Sequence, residues 1–474
     1  MPAPQPPQSH TDLRLLGALI TTSIDTILAR FDDQSLWFPS LHDPDISESP
    51  AERLLGETQM IEAKNVIVAA AAQIVAMVRS PVQTVVEWSM VFHLPSCMRA
   101  AIESNMVEIV RDAGPQGIHV KEIAKKNNTD PTKAARILRL LANHHIFTEL
   151  SPDVFCSNRL SSVLDSGKTV DELVESPHLR HVNTSGMSAL ILTHTDEAFK
   201  GSAYLTEAFL SPNTAHSTKA IDSPWNIAMK TEDFLFDWYD RPENAELKTR
   251  FSFAMACSGK LEPPEAILIG FDWAGLPTNS VVVDVGGGVG STALILATKL
   301  PDLKVVIQDR CSVIEDAKTY WADKAPELVK DGRVQLQVHN FFDPQPITNA
   351  DIFLLRWIMH DWTDTAAVDI LRRLREAVAP GKTKLITVDI ILPYTCYNED
   401  QSVGAAAAPP PLLHNMGAAS SMKYWLDFQM FVLGNSQERT LAHFSKLAES
   451  SGWKVVEVHH IPGSSLAQCV SVPV

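Results

Sequence analysis

The run VVVDVGGGVGST at 281–292 places Gly286, Gly287, Gly288 and Gly290 within five positions, directly behind a stretch of valines. Each of those glycines gives up about 1 kcal/mol of conformational entropy relative to alanine, so something has to come close to that backbone. The dinucleotide fingerprint would need glycine at 286, 288 and 291, but position 291 is Ser. What fits is an acid followed by alternating glycines, Asp284, Gly286, Gly288 and Gly290, in a tight turn whose N–H groups and following helix N-terminus face a ligand. Asp309 lies 21 residues after Gly288, at the end of the next strand-like run, where an acid accepts the hydroxyls of a ribose. No lysine follows the glycines in the triphosphate-binding pattern. An adenosine that carries an amino acid instead of phosphates fits better: S-adenosylmethionine, with Asp284 or its neighbours near the ammonium.

A second set of residues could move a proton. His360 stands in RWIMHDWTD (356–364), five positions beyond Leu355. A phenol, with a pKa of about 10 like tyrosine, attacks poorly while protonated. A neutral imidazole within about 3 Å takes that proton as attack begins, an effect of about 10² to 10⁴ in rate. It needs a carboxylate on its other nitrogen to fix the tautomer and stabilise the imidazolium. Asp389, ending KLITVDI, and Glu438, in GNSQERT, are the acids at suitable places. Taken singly, each acid reads more readily as a surface or capping acid, and one His among 16 is more often structural; position is what raises His360.

These residues need a frame. Apolar strand candidates at 281–285, 304–308, 334–338, 351–355, 384–390, 453–459 and 467–472 alternate with helical stretches for the most part, the pattern of a parallel sheet with helices on both faces. Ligands in such sheets lie beyond the carboxyl ends of the strands, at the switch point. Ahead of this, residues 1–10 are Pro-rich and expected to be disordered. Helical spacing covers 11–31, 51–78 and 81–94, and these apolar faces need a partner, for which a dimer interface is the simplest. NVIVAAAAQIVAMV (65–78) reads as a buried helix. Over 97–160 the pattern is helix, turn, helix, then a wing in SPDVFCSNRL. A winged helix suggests DNA, but Ile137, Leu138, Leu140 and Leu141 make the third helix mostly apolar despite Lys133, Arg136 and Arg139. Packing or dimerisation is the better reading. Residues 396–422, with four alanines and three prolines in a row, read as an exposed, disordered insertion, with a lid as the alternative.

The chain has 474 residues, enough for two or three domains. A formal charge of −16 disfavours nucleic acid, because phosphates are neutralised by Lys and Arg. Six scattered cysteines, with no CxxC pair, indicate neither a disulfide framework nor a structural metal. No basic-then-apolar leader and no run of about 18 apolar residues is apparent, so a soluble cytoplasmic protein that engages no membrane is expected.

VDVGGGVG, Asp309, LRWIMHDW, TVDIILP and GNSQERT, in this order over roughly 95–474, resemble the plant and fungal small-molecule O-methyltransferases of the caffeic-acid and sterigmatocystin type. The long helical start and the 396–422 insertion look fungal. The resemblance implies a class I S-adenosylmethionine-dependent methyltransferase fold, a doubly wound α/β sheet with a winged-helix dimerisation domain, a homodimer, no metal, and His360 as base. Residue by residue, it implies Gly286, Gly288, Asp309, Asn340, Phe341 and Arg356 around the cofactor. Asp389 and Glu438 would stand beside the base, and Met255 and Met430 would hold the acceptor. Asn340 stands where many plant members have Asp, and Asp389 where Glu is common. The expected division is a helical extension at 1–94, the winged helix at 95–175, a helical linker and pocket region at 176–262, and the catalytic domain at 263–474. The leading expectation is methyl transfer to a hydroxyl-bearing, phenolic small molecule of secondary metabolism. The rivals are a relative catalysing a pericyclic or decarboxylative step with the cofactor as fixed charge, a winged-helix regulator that binds the cofactor, and an inactive scaffold.

Overall fold

The computed structural model describes residues 6–44, 49–263, 265–379, 381–398 and 407–474. The chain divides into two units, one of Met1–Thr206, Trp225–Leu261 and Pro410–Leu412, the other of Glu207–Pro224, Glu262–Pro409 and Leu413–Val474.

The first unit opens with helix Pro6–Asp33, so residues 6–10 are helical where disorder was expected; residues 1–5 lie outside the described residues. It packs on helix Thr58–Val78 through Ile27, Phe31, Leu54, Leu55 and Met60. The expectation that residues 65–78 form a short buried helix is corrected. Helix Thr58–Val78 is long and apolar enough to cross a membrane by length and composition, and only 17% of its apolar window is buried. Alanine, valine and isoleucine occur all around it, while one partner helix covers one stripe. Val68, Val75, Met77 and Val78 are exposed, as are Val82, Val85, Val86 and Trp88 on helix Pro81–Trp88.

The winged helix follows. Strand β1 (Ile118–His119) leads into helices Val120–Asn127 and Pro131–Asn143, then strands β2 (Thr148–Ser151) and β3 (Val154–Cys156) form a hairpin with β1 paired to β3. Asp130 caps the second of these helices by accepting the Lys133 N–H, with Pro131 at its first position. That helix stops at Asn143 because His145 and Phe147 take left-handed conformations (φ 62° and 71°), so the wing spans 148–156, earlier than the expected 151–160. Leu138 and Leu141 join Ile102, Val110, Ile123 and Phe155 in one core. Arg139 on the exposed side is held by Glu149 and Asp153.

The second unit is built on a seven-stranded sheet of β4 (Val281–Val285), β5 (Lys304–Asp309), β6 (Val334–Val338), β7 (Ile352–Arg356), β8 (Lys384–Asp389), β9 (Trp453–His460) and β10 (Ala467–Pro473), in the order β6-β5-β4-β7-β8-β10-β9. Strands β4 to β8 are parallel, as expected. β10 is antiparallel to both β8 and β9: residues 461–466 are too short for a crossover and suffice only for a hairpin. The buried strands alternate faces, Val283, Phe353, Leu355 and Leu385 entering one apolar cluster and Val282, Leu354, Ile386 and Val388 the other. Chain order reverses at β4, with β5 on one side and β7 on the other, so β4 marks the switch point.

Of the 396–422 insertion, residues 399–406 lie outside the described residues. The remainder is not the disordered stretch expected. Gln73 donates to the Pro411 carbonyl at 2.9 Å within the helical unit. In the second unit Asn415 is buried, donates to the Tyr424 hydroxyl at 2.8 Å, and accepts from Gly417 N–H at 3.0 Å.

Candidate active site

The glycine turn leaves β4 at the switch point. Gly286 and Gly288 both have left-handed backbones (φ 69° and 62°). A Cβ on Gly286 would lie 2.6 Å from Ile358 Cδ1, so protein fills that space; a Cβ on Gly288 would meet nothing within 4 Å. The close approach at Gly286 is therefore made by the chain itself, whereas Gly288 faces open space. Asp309 fixes the turn, accepting the Gly288 N–H at 2.8 Å and the Arg310 N–H at 2.7 Å. Burial raises its pKa against those two bonds. Asp284 is buried, its Oδ2 has no hydrogen-bond partner, and burial pushes its carboxyl up to about 7, with Arg356 pulling the other way.

Around the turn, Arg356 ends β7, donates to Thr292 Oγ1 at 3.2 Å, and has its pKa lowered by burial. Asn340 accepts the Phe342 N–H at 3.2 Å. Phe341 packs edge-on to Phe342 and to Trp362, with ring centroids 5.1 and 5.6 Å away. An unpartnered buried carboxylate oxygen, an open glycine face, a guanidinium and an aromatic wall fit a nucleoside that carries an amino acid.

His360 sits where β7 gives way to a short turn, Met359–Asp361, before helix Asp364–Glu376. Trp357 starts that turn in a left-handed conformation (φ 57°), an uncommon state for a bulky residue that clusters at functional sites. His360 Nδ1 lies 2.8 Å from Glu438 Oε1, and Nε2 lies 3.5 Å from Asp361 Oδ1. Burial disfavours the imidazolium, but Asp361, Glu438 and Asp389 outweigh it and push His360 up to about 10.

The segment that carries Glu438 is built by its own hydrogen bonds. Helix Ser421–Gly434 ends at Asn435 with φ 50°, and Asp427 on that helix accepts the Glu438 N–H at 2.9 Å. Arg439, buried, donates to the carbonyls of Met359 (2.6 Å) and Trp362 (2.7 Å) and to Asp364 (3.0 Å). It thus clamps the His360 turn to the Glu438 segment. Asp389 ends β8 with both carboxylate oxygens buried and unpartnered; burial pushes it up to about 7, with His360 pulling it down and Glu438 pushing it up. A cavity of about 10 Å³ separates these groups, lined by His360, Asp389, Glu438, Thr387 and Cys469, room for at most one water.

The sheet thus gathers Asp284, Gly286, Gly288, Asp309, Asn340, Phe341 and Arg356 at one edge, and His360, Asp389 and Glu438 beside them. Of the two acids, Glu438 makes the bond to the imidazole. Met430 lies on helix Ser421–Gly434. Met255 lies on helix Ala245–Ser258 of the other unit, 41% exposed. Sequence reasoning passed over Arg439, Asp361, Asp427 and Trp362. Arg439 and Asp361 stand next to Glu438 and His360 in sequence, and a charged residue flanking a proposed catalytic one was the available signal.

Two family descriptions match the chain: O-methyltransferase domain at residues 222–454 and O-methyltransferase dimerisation domain at 86–166. An O-methyltransferase of Armillaria gallica is 41% identical to it, covering 98% of this chain and 100% of the relative. The chain belongs to the O-methyltransferase family. Among further O-methyltransferases, the 4-O-methyltransferase 1 of Phanerochaete chrysosporium is 40% identical over 94% of this chain and 95% of its own. The solved structure of OxaC superimposes with a TM-score of 0.66 at 18% identity, covering 97% of this chain and all of that one, which speaks for the fold. This fold is the class I S-adenosylmethionine-dependent methyltransferase fold, and the chain is an O-methyltransferase by family.

Proposed function

We propose that this O-methyltransferase binds S-adenosylmethionine at the β4–β5 edge and methylates a hydroxyl, phenolic in the first instance, of a small secondary metabolite, with His360 as general base. The observation that carries the reading is the 2.8 Å bond between His360 Nδ1 and Glu438 Oε1. It engages one ring nitrogen and leaves Nε2 to receive a proton.

Asp309 stands at the ribose, Asn340 and Phe341 at the adenine, Gly286 and Gly288 along the turn, Arg356 at the carboxylate and Asp284 towards the ammonium. When bound, S-adenosylmethionine supplies an electrophilic methyl group, and no metal takes part. His360 Nε2 takes the hydroxyl proton as the oxygen becomes nucleophilic. Glu438 holds the Nδ1–H and stabilises the imidazolium that forms. Asp361 and Asp389 add to the negative field on the ring. Met430, flexible and polarizable, suits contact with an aromatic acceptor.

The test is mass spectrometry of a panel of phenols incubated with the protein and S-adenosylmethionine. A gain of one methyl group with formation of S-adenosylhomocysteine supports the reading. A protein that binds the cofactor tightly and transfers nothing to any acceptor overturns it, and an isomerised or decarboxylated product in its place establishes the pericyclic or decarboxylative alternative.

A further inference from the structure

Strand β5 turns Val306 and Gln308 to the same face, where Val306 joins the apolar cluster of Val283, Phe353 and Leu355. An apolar residue would suit position 308, yet the side chain there is an amide, 1% exposed. Its polar atoms are all engaged. Nε2 donates to Gln345 Oε1 and to Gln337 Oε1, both at 2.8 Å, and Oε1 accepts from Gln345 Nε2 at 2.9 Å; Gln337 is its partner in register on β6. Gln345 is 6% exposed, and its Oε1 also accepts the Ile347 N–H at 3.1 Å, which fixes the orientation of both amides. Two buried amides paired in both directions add little net stability over apolar side chains of the same shape. What they add is a single arrangement of the segments that carry them.

Those segments are the ones around the cofactor edge. The Gln308 carbonyl accepts the N–H groups of Gly286 and Gly287 at 2.8 and 3.1 Å, and Asp309 Oδ2 accepts that of Gly288 at 2.8 Å. The Asp309 carbonyl accepts the His339 N–H at 3.0 Å. The stretch from His339 to Gln345, which contains Asn340 and Phe341, is therefore tied to β5 at both ends: at its start by the Asp309 main chain, at its end by the amide pair. Between these ties it is a turn closed on itself, because the Asn340 carbonyl accepts the Asp343 N–H at 2.9 Å and the Asn340 side chain accepts the Phe342 N–H at 3.2 Å. The amide pair is the side-chain contact that sets where this turn stands against Asp309.

We propose that Gln308 and Gln345 are positioning residues for recognition of the nucleoside base. They fix the Asn340–Phe341 turn relative to Asp309, and so set the preference for adenine over a purine that lacks the 6-amino group, with no contact of their own to the ligand. The proposal rests on the placement of S-adenosylmethionine at this edge, and it concerns binding and not transfer.

Gln308→Met, Gln345→Met and the double variant are compared with the wild-type full chain by calorimetric titration with S-adenosylhomocysteine and with S-inosylhomocysteine, and by urea unfolding. In each variant the ratio of the two affinities should fall about five- to tenfold, the equivalent of one hydrogen bond to the base. Each single variant orphans part of a buried amide and should lower the urea midpoint. The double variant removes both partners together and should recover most of that midpoint while its affinity ratio stays low. A double variant that regains the wild-type ratio along with the midpoint overturns the proposal, since the pair then serves stability alone, and so do single variants that keep the wild-type ratio. Methyl transfer does not enter the readout, so the ratio decides the role of the pair whatever the acceptor. A wild-type chain that binds neither nucleoside overturns the cofactor placement itself, whereas binding with an unchanged ratio in the variants overturns the role of the pair alone.

Discussion

At the scale of the residue, the site turns on how many carboxylates surround one imidazole. Glu438 touches it at 2.8 Å and Asp361 approaches at 3.5 Å, and the ring is pushed up to about 10. His360→Ala is expected to lower turnover by at least about 10², the lower end of general-base effects, while cofactor binding measured by calorimetry stays intact; an unchanged rate on a good phenolic acceptor removes His360 from the mechanism. The sign of the pH dependence follows from the same charges. A raised pKa means that the neutral imidazole is gained only as pH climbs through that value, so kcat/KM should rise from neutral towards alkaline pH. Removing a negative neighbour stabilises the neutral ring, so Glu438→Gln should move that rising limb to lower pH while reducing the maximum. A limb that stays in place in the variant would mean that another group titrates. Sequence spacing brought out His360 and both acids, because each ends a strand or sits in a loop at the same edge. It left open which acid bonds the ring: Glu438 lies 78 residues away, and the choice depends on how the Asp427 and Arg439 bonds set that segment.

At the scale of the element, the question is what holds two turns in register. The glycine turn is tied by Asp309 to the end of β5, and the His360 turn by Arg439 to the Glu438 segment. Gly286 and Gly288 have similar backbones but different surroundings, which separates their roles experimentally. Gly288→Ala meets no atom, so it should cost about 1 kcal/mol of stability from its left-handed backbone yet weaken cofactor binding by tenfold or more. Gly286→Ala adds the push on Ile358 and should cost about 2 kcal/mol in urea unfolding. Equal effects of the two on cofactor affinity would contradict the distinction. Arg439→Met leaves the carbonyls of Met359 and Trp362 without their donor, while Asp364 keeps Gln437 and His443, a loss of about 2 kcal/mol. It should also lower kcat more than it raises KM, because the base is displaced while the cofactor edge is untouched. The strands that carry these turns were legible as β-branched runs. The antiparallel β10 was not, since its direction follows from the length of the 461–466 connection and not from any residue in the strand.

At the scale of the whole molecule, a chain of net charge −16 carries a large apolar surface at its N-terminal end. Val82, Val85 and Trp88 are 73%, 64% and 66% exposed, and helix Thr58–Val78 has little of its apolar window covered. Apolar side chains exposed at this density on two successive helices mark an interaction site. The match to the dimerisation domain begins at residue 86, so the exposed residues of helix Pro81–Trp88 adjoin and enter the segment that family uses to pair. The sequence reading asked for a partner for these helices but took residues 65–78 as buried, because periodicity alone does not separate a helix enclosed by its own chain from one enclosed by a second copy. The expected state is a homodimer with this surface inside it. Val82→Asp combined with Val85→Asp places two charges on the helix and should shift the protein from twice the chain mass towards one in sedimentation equilibrium, while far-ultraviolet circular dichroism keeps its helical signal. Arg136→Glu, on the exposed side of the third winged-helix segment, should leave the mass unchanged. If the double variant stays dimeric and the wild-type protein instead partitions onto lipid vesicles, the apolar helix serves a membrane surface, and dimerisation rests on the winged helix alone.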